Sequence, residues 1–150
     1  MKYLILSCSN KKTAHNTPVK AIELYNGVFF SVYKKAVRND PDIESSIKLL
    51  IVSAKYGLIE STDVISYYDK KMNLEIAHIQ RQQNTLKLQA LIDRETPESI
   101  TVVMGKTYLE SIDFSAVSPP VHIINGEIGI MLHGLKAWLE ANNRGDINAN

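Results

Sequence analysis

Four short runs of nearly unbroken apolar residues punctuate the chain, at 2–7, 47–53, 100–105 and 121–124. Each is rich in β-branched and aliphatic residues without polar alternation, the pattern of strands buried on both faces in a parallel sheet covered by helices. Helical spacing fills the gaps. Pro18 stands at a helix start, and Ile22, Tyr25, Phe29, Val32, Tyr33 and Val37 then recur at helical intervals until Asn39-Asp40-Pro41 ends the pattern, with Gly27 a local weak point. Asn73 caps a second helix carrying Leu74, Ala77, Leu88 and Leu91 on one side, although its middle, residues 80–84, is wholly polar. A short helix follows Lys106. A last helix over about 128–142 sets Leu132, Leu135, Trp138 and Leu139 on one stripe.

Strands alternating with helices, joined by right-handed crossovers, predict a three-layer α/β/α fold around a four-stranded parallel sheet. One domain over residues 1–143 is expected, with polar residues 144–150 as a flexible tail. The chain of 150 residues is long enough to bury a core without a disulfide or metal staple. Its single cysteine, Cys8, agrees and points to a reducing, cytoplasmic setting. No apolar segment approaches the ~20 residues that span a bilayer, so no membrane partner is expected. With 17 Lys+Arg against 16 Asp+Glu the formal charge is +1, which excludes a histone-like polycation but leaves room for a local basic patch.

In open parallel sheets, ligands bind beyond the carboxyl ends of the strands. Here those ends are polar and small: Ser7-Cys8-Ser9-Asn10-Lys11-Lys12, then Ser53-Ala54-Lys55-Tyr56-Gly57, then Gly105-Lys106, then Asn125-Gly126-Glu127. A long connection after the second strand adds Tyr67-Tyr68-Asp69-Lys70-Lys71. Several of these residues admit two readings. Cys8 is a small buried residue or a thiolate favoured by nearby lysines, with no obvious base beside it. Asn10 grips a base with its amide or holds its own turn. Asp69 is a reactive carboxylate or a surface residue paired with a lysine, and Gly57 has a backbone role alone. His15, His78, His122 and His133 are scattered without ligand spacing, so no metal or other cofactor is expected. The first strand's turn lacks the glycine fingerprint of a dinucleotide-binding domain.

Cys-Ser-x-x-Lys at 8–12, Ser-Ala-Lys-Tyr-Gly-Leu at 53–58 and Tyr-Asp at 68–69, taken in order, resemble a bacterial and phage domain family related in pattern to the YaaA peroxide-stress proteins and to a domain of archaeosine synthase. Ala21, Leu24-Tyr25 and Phe29-Phe30 resemble that family's first helix. The resemblance implies a fold like that of the uracil-DNA glycosylase superfamily, with strand order 2-1-3-4. One similar branch acts in phage defence, removing glucosylated hydroxymethylcytosine from viral DNA. Tyr67 stands where many relatives carry a proline. The Gly-x-Asp-Pro-Tyr and His-Pro-Ser motifs of uracil-removing enzymes are absent, which argues against uracil as substrate.

What the resemblance implies is a monofunctional, metal-independent DNA glycosylase that acts on a modified base and leaves an abasic site. Asp69, Asn10 and Lys55 are its expected catalytic residues. Ser7, Cys8, Ser9, Tyr56, Gly57, Tyr67, Tyr68, Gly105 and Glu127 are expected to line the pocket. Lys11, Lys12, Lys70, Lys71 and Lys106 are expected to contact DNA, the partner, with the protein acting as a monomer. The chemistry suits these residues, since a glycosidic bond breaks through an oxocarbenium-like sugar that a carboxylate stabilises, after the nucleotide has left the stack. Two alternatives stand beside it: a non-catalytic DNA-binding module, and an enzyme or binder of a free nucleobase or nucleotide.

Overall fold

The computed structural model describes residues 1–8, 12–14 and 16–148. In chain order the elements are β1 (Lys2–Ser7), β2 (Val19–Lys20), α1 (Ala21–Leu24), α2 (Val28–Asn39), α3 (Ile43–Ser46), β3 (Ile47–Ser53), β4 (Gly57–Glu60), β5 (Val64–Ile65), α4 (Leu74–Glu95), β6 (Ile100–Val103), α5 (Lys106–Leu109), β7 (Val121–Ile124) and α6 (Ile128–Asn148). The central sheet runs β4-β3-β1-β6-β7, and β2 pairs with β5 in a separate two-stranded antiparallel ribbon.

The pairs β3–β1, β1–β6 and β6–β7 are parallel, as the unbroken apolar runs demand. Side chains alternate between two cores. Leu4 and Leu6 point into one with Leu24, Phe30, Leu135 and Leu139, while Tyr3 and Ile5 point into the other with Leu88, Leu91 and Ile92. The sheet is therefore covered by α1, α2, α3 and α6 on one face and by α4 on the other.

The sheet has five strands where four were expected. After β3 the chain folds straight back, and β4 pairs antiparallel with it, Ser53 opposite Gly57. By sequence pattern alone this stretch is a loop, because Ser53 to Gly57 is polar and short. Gly57 adopts φ +74°, a left-handed conformation that glycine takes without steric cost, and this closes the hairpin.

Helix limits depart from the periodicity in two places. The first helix is interrupted: Pro18 precedes the short β2, and α1 stops before Tyr25, after which Gly27 caps the start of α2. The break lets Tyr25 take extended geometry and bridge to Lys12. The last helix continues to Asn148, beyond the end expected near 142. The Asn73 cap does form, its side chain accepting the Ile76 N–H at 2.8 Å, and Thr96 closes α4 in a left-handed conformation. No helix among the described residues is long and apolar enough to cross a membrane.

Candidate functional site

Because β1, β3, β6 and β7 are parallel, their carboxyl ends open on one side of the sheet. The end of β1 is fixed against β3 by Cys8 N–H donating to Val52 C=O at 2.8 Å. Across the sheet, α5 follows β6 closely and brings the Tyr108 hydroxyl to 3.0 Å from Cys8 Sγ. Cys8 is buried, so its sulfur is a packed, hydrogen-bonded group.

The centre of the site is Tyr68. Its hydroxyl lies 2.6 Å from that of Tyr25 and accepts from Ser53 Oγ at 2.9 Å. Ser53 Oγ in turn accepts the N–H groups of Lys55 and Tyr56, at 3.2 and 3.0 Å, which fixes the β3–β4 turn. The Tyr56 ring meets Tyr68 edge-on at 5.6 Å, and its hydroxyl donates to Ser66 C=O at 3.2 Å. Two cations lie on these aromatic faces: Lys12 Nζ at 4.6 Å from the Tyr68 ring centre and Lys55 Nζ at 5.2 Å from that of Tyr56.

Burial sets the protonation of this hub. Desolvation, reinforced by Cys8, raises Tyr68 well above the ordinary tyrosine range, and the same two causes raise Tyr108. Tyr25 is pushed up to about 12, chiefly by desolvation. These hydroxyls stay neutral at physiological pH and act as hydrogen-bonding struts.

Asp69 follows the buried Tyr68 directly and is exposed. Among the described residues it makes no ion pair within 4 Å, so the pairing with Lys70 or Lys71 is not formed. Lys55, Lys70, Lys71 and Lys106 are also exposed, and Lys12 is half-buried. Tyr67 is 44% exposed between the anchored Ser66 and Tyr68.

The structure thus gathers Cys8, Lys12, Ser53, Lys55, Tyr56 and Tyr68, with Asp69 at their edge. Ser7 is half-buried at the end of β1, and Gly105, also half-buried, caps the start of α5. Glu127 is exposed and has no side-chain hydrogen bond or ion pair among the described residues. Asn10, Ser9 and Lys11, together with His15, lie outside the described residues. No three or more His, Cys, Asp or Glu among the described residues are grouped to hold a metal ion.

Sequence reasoning missed four supports. Tyr25 reads as one member of an apolar helix stripe, yet its hydroxyl completes the hub. Tyr108 lies in α5, just past the polar Gly105-Lys106 strand end, and had no role of its own. Gln80 donates to the Ser53 and Ala54 carbonyls at 3.0 Å each, holding the turn from behind. Asn84, 4% exposed, accepts the Leu58 N–H and donates to Ser111 C=O. Their signal was the polar run 80–84 on a helix that is otherwise apolar on that side.

Compared with known proteins, residues 3–137 match the model of a family of unknown function (DUF6884). No curated protein matches the chain.

Proposed function

The chain belongs to the DUF6884 family of unknown function, and from that footing we propose that it is a DNA glycosylase that hydrolyses the N-glycosidic bond of a modified base. The observation that carries the reading is an exposed carboxylate, Asp69, which makes no ion pair among the described residues and directly follows the buried, hydrogen-bonded Tyr68, with Lys12 and Lys55 on the neighbouring aromatic faces. A glycosidic bond breaks with positive charge growing on the sugar and negative charge on the departing base. A carboxylate and ammonium groups on one rim answer both demands.

In this mechanism the base leaves with the C1′–N electron pair, and Lys55 and Asn10 offset its charge. Asp69 stabilises the sugar cation and orients water. The water oxygen bonds to C1′ and its proton passes to Asp69 and on to solvent or the released base. Tyr56 and Tyr67 offer ring faces for the extruded nucleotide, and Lys12, Lys70, Lys71 and Lys106 offer phosphate contacts. Cys8 and Ser7 form the floor. The neutral Tyr25, Tyr68 and Tyr108 hold the geometry without exchanging protons.

The four mutually parallel strands, in the order β3-β1-β6-β7, support a uracil-DNA-glycosylase-like arrangement to which β4 adds an edge. A glucosylated hydroxymethylcytosine in phage DNA, and hence a role in antiviral defence in the cytoplasm, is the substrate reading we favour.

The test is incubation of purified protein with glucosylated and plain phage DNA, followed by alkali. Strand breaks confined to the modified DNA are expected, and they persist with chelator. Intact but retarded DNA would replace this reading with a binding module. Neither breaks nor retardation, with a free nucleobase or nucleotide bound instead, would replace it with a small-molecule site.

A further inference from the structure

The two edges of the central sheet are finished differently. On β4 the outward N–H groups are sealed by side chains: Leu58 N–H donates to Asn84 Oδ1 and Glu60 N–H to Asp63 Oδ2, each at 2.9 Å. On β7 the Ile100 N–H donates to Pro120 C=O at 2.9 Å. A parallel ladder engages alternate residues, so Pro120, His122 and Ile124 turn their main-chain groups toward β6, while Val121 and Ile123 turn theirs outward. Among the described residues no loop or side chain takes up the Val121 and Ile123 groups.

Although β7 is only four residues long, it lacks the charged, proline and bulge guards of an edge strand. Residues 121–124 contain no lysine, carboxylate or proline, and their register with β6 is continuous, without a bulge. His122 is exposed on one face and Ile123 on the other. Ile123 is 42% exposed, and Ile128 and Ile130, just beyond the strand, are 62% and 61% exposed. The Ile123 side chain therefore stands exposed on an open row of backbone donors and acceptors.

We propose that β7 is a dimer interface, at which a second copy of this chain adds its own β7 antiparallel across a two-fold axis through Ile123. The edge is self-complementary in that register. Each Ile123 donates its N–H to the C=O of its counterpart, and Val121 faces Asn125 of the second copy. A register centred two residues earlier, on Val121, would set Pro119, which has no N–H to donate, opposite Ile123. No charge from 121 to 125 meets its own image, a cost that any lysine or carboxylate there would impose. The two Ile123 side chains, on the same face of the joined sheet, meet across the axis and add apolar contact to the short ladder. The dimer continues one sheet through both protomers and leaves the Tyr68 hub, which lies toward β3, uncovered. It departs from the monomer expected from the sequence, and it stands or falls independently of the glycosylase reading.

The experiment is sedimentation equilibrium of the full chain over about 1–100 μM, a range that spans ordinary reversible dimers. The wild-type mass should approach twice 16.8 kDa. Ile123→Pro removes the central N–H, and Ile123→Lys places like charges on the axis. Both should weaken dimerisation at least tenfold. Since proline at an edge position risks the fold, Ile123→Lys, at an exposed side chain, is the deciding variant, with circular dichroism confirming its structure. A wild-type chain that stays monomeric throughout, or a dimer whose affinity Ile123→Lys leaves unchanged, overturns the proposal.

Discussion

Asn84 Oδ1, buried in the middle of α4, accepts the Leu58 N–H at 2.9 Å and so ties the helix to the outer edge of the sheet. The amide nitrogen of the same side chain donates to Ser111 C=O at 3.1 Å, a third segment of chain. One residue thus satisfies two main-chain groups that would otherwise be buried without partners.

Replacing Asn84 by Ala or Leu should accordingly destabilise the protein by about 2–4 kcal/mol, since an orphaned buried donor or acceptor costs roughly 1–3 kcal/mol. Gly57→Ala should also destabilise, because a Cβ there would meet Asn84 Oδ1 at 2.6 Å and the backbone is left-handed. Urea unfolding of both variants checks this. Wild-type midpoints would show that the edge does not depend on this bracket.

The four parallel strands were legible because each is a continuous apolar run whose burial on two faces leaves no other reading. Gly57–Glu60 was not, since its strand character comes from pairing with β3 and depends on Gly57 turning back. The polar run at 80–84 was visible, but local periodicity assigns polar residues to solvent. Only the folded chain shows that Gln80 and Asn84 face inward to serve the turn and the edge. Likewise the Cys8, Lys55, Tyr56 and Tyr68 cluster follows from loops after parallel strands, whereas the Tyr25 hydroxyl joins it through a helix break that spacing alone conceals.

A second cluster makes stability depend on pH at both ends. At the amino-terminal end of the sheet, Lys48 pairs with Glu60 at 2.5 Å and with Glu95 at 2.7 Å, and the Tyr3 hydroxyl donates to Glu95. Partial burial alone would raise Glu95, but the Lys48 and Tyr3 hydrogen bonds outweigh it and hold its carboxyl below the usual range. Its contribution is present above its unfolded pKa of 4.5 and is lost as pH falls through the folded value. Burial alone would lower Lys48, yet its two carboxylate partners raise it, so its contribution is lost as pH climbs above 10.5. Tyr33, pushed up to about 12 by desolvation, adds to the alkaline loss. Denaturation midpoints should plateau near neutral pH and fall on either side, and Glu95→Gln should flatten the acid limb. An unchanged acid limb would remove Glu95 from this account.

Salt dependence separates the lysines from the carboxylate. Lys70 and Lys106 are exposed, and each phosphate neutralised there should contribute about 0.9 to the slope of log affinity against log salt. Lys70→Ala and Lys106→Ala should each flatten that slope by about one and weaken binding alike on modified and plain DNA. A wild-type slope in both variants would move the DNA path off this rim.

Asp69 carries the heaviest demand, since in the proposed reaction it is the group facing the growing sugar cation. Asp69→Asn keeps the shape and loses the charge, so single-turnover cleavage should drop by about 10²-fold or more while DNA affinity changes little. Tyr68→Phe offers the contrast. It keeps the ring under Lys12 but leaves the Ser53 and Tyr25 hydroxyls short of a partner, so it should lower stability by about 1 kcal/mol and affect cleavage only through the placement of Asp69. A folded Asp69→Asn protein that cleaves at the wild-type single-turnover rate would transfer the role to another carboxylate, with Asp63 and Glu127 next to be replaced. Asp63 already accepts the Glu60 N–H through its side chain. Glu127, which is exposed and follows β7, would then be the stronger of the two.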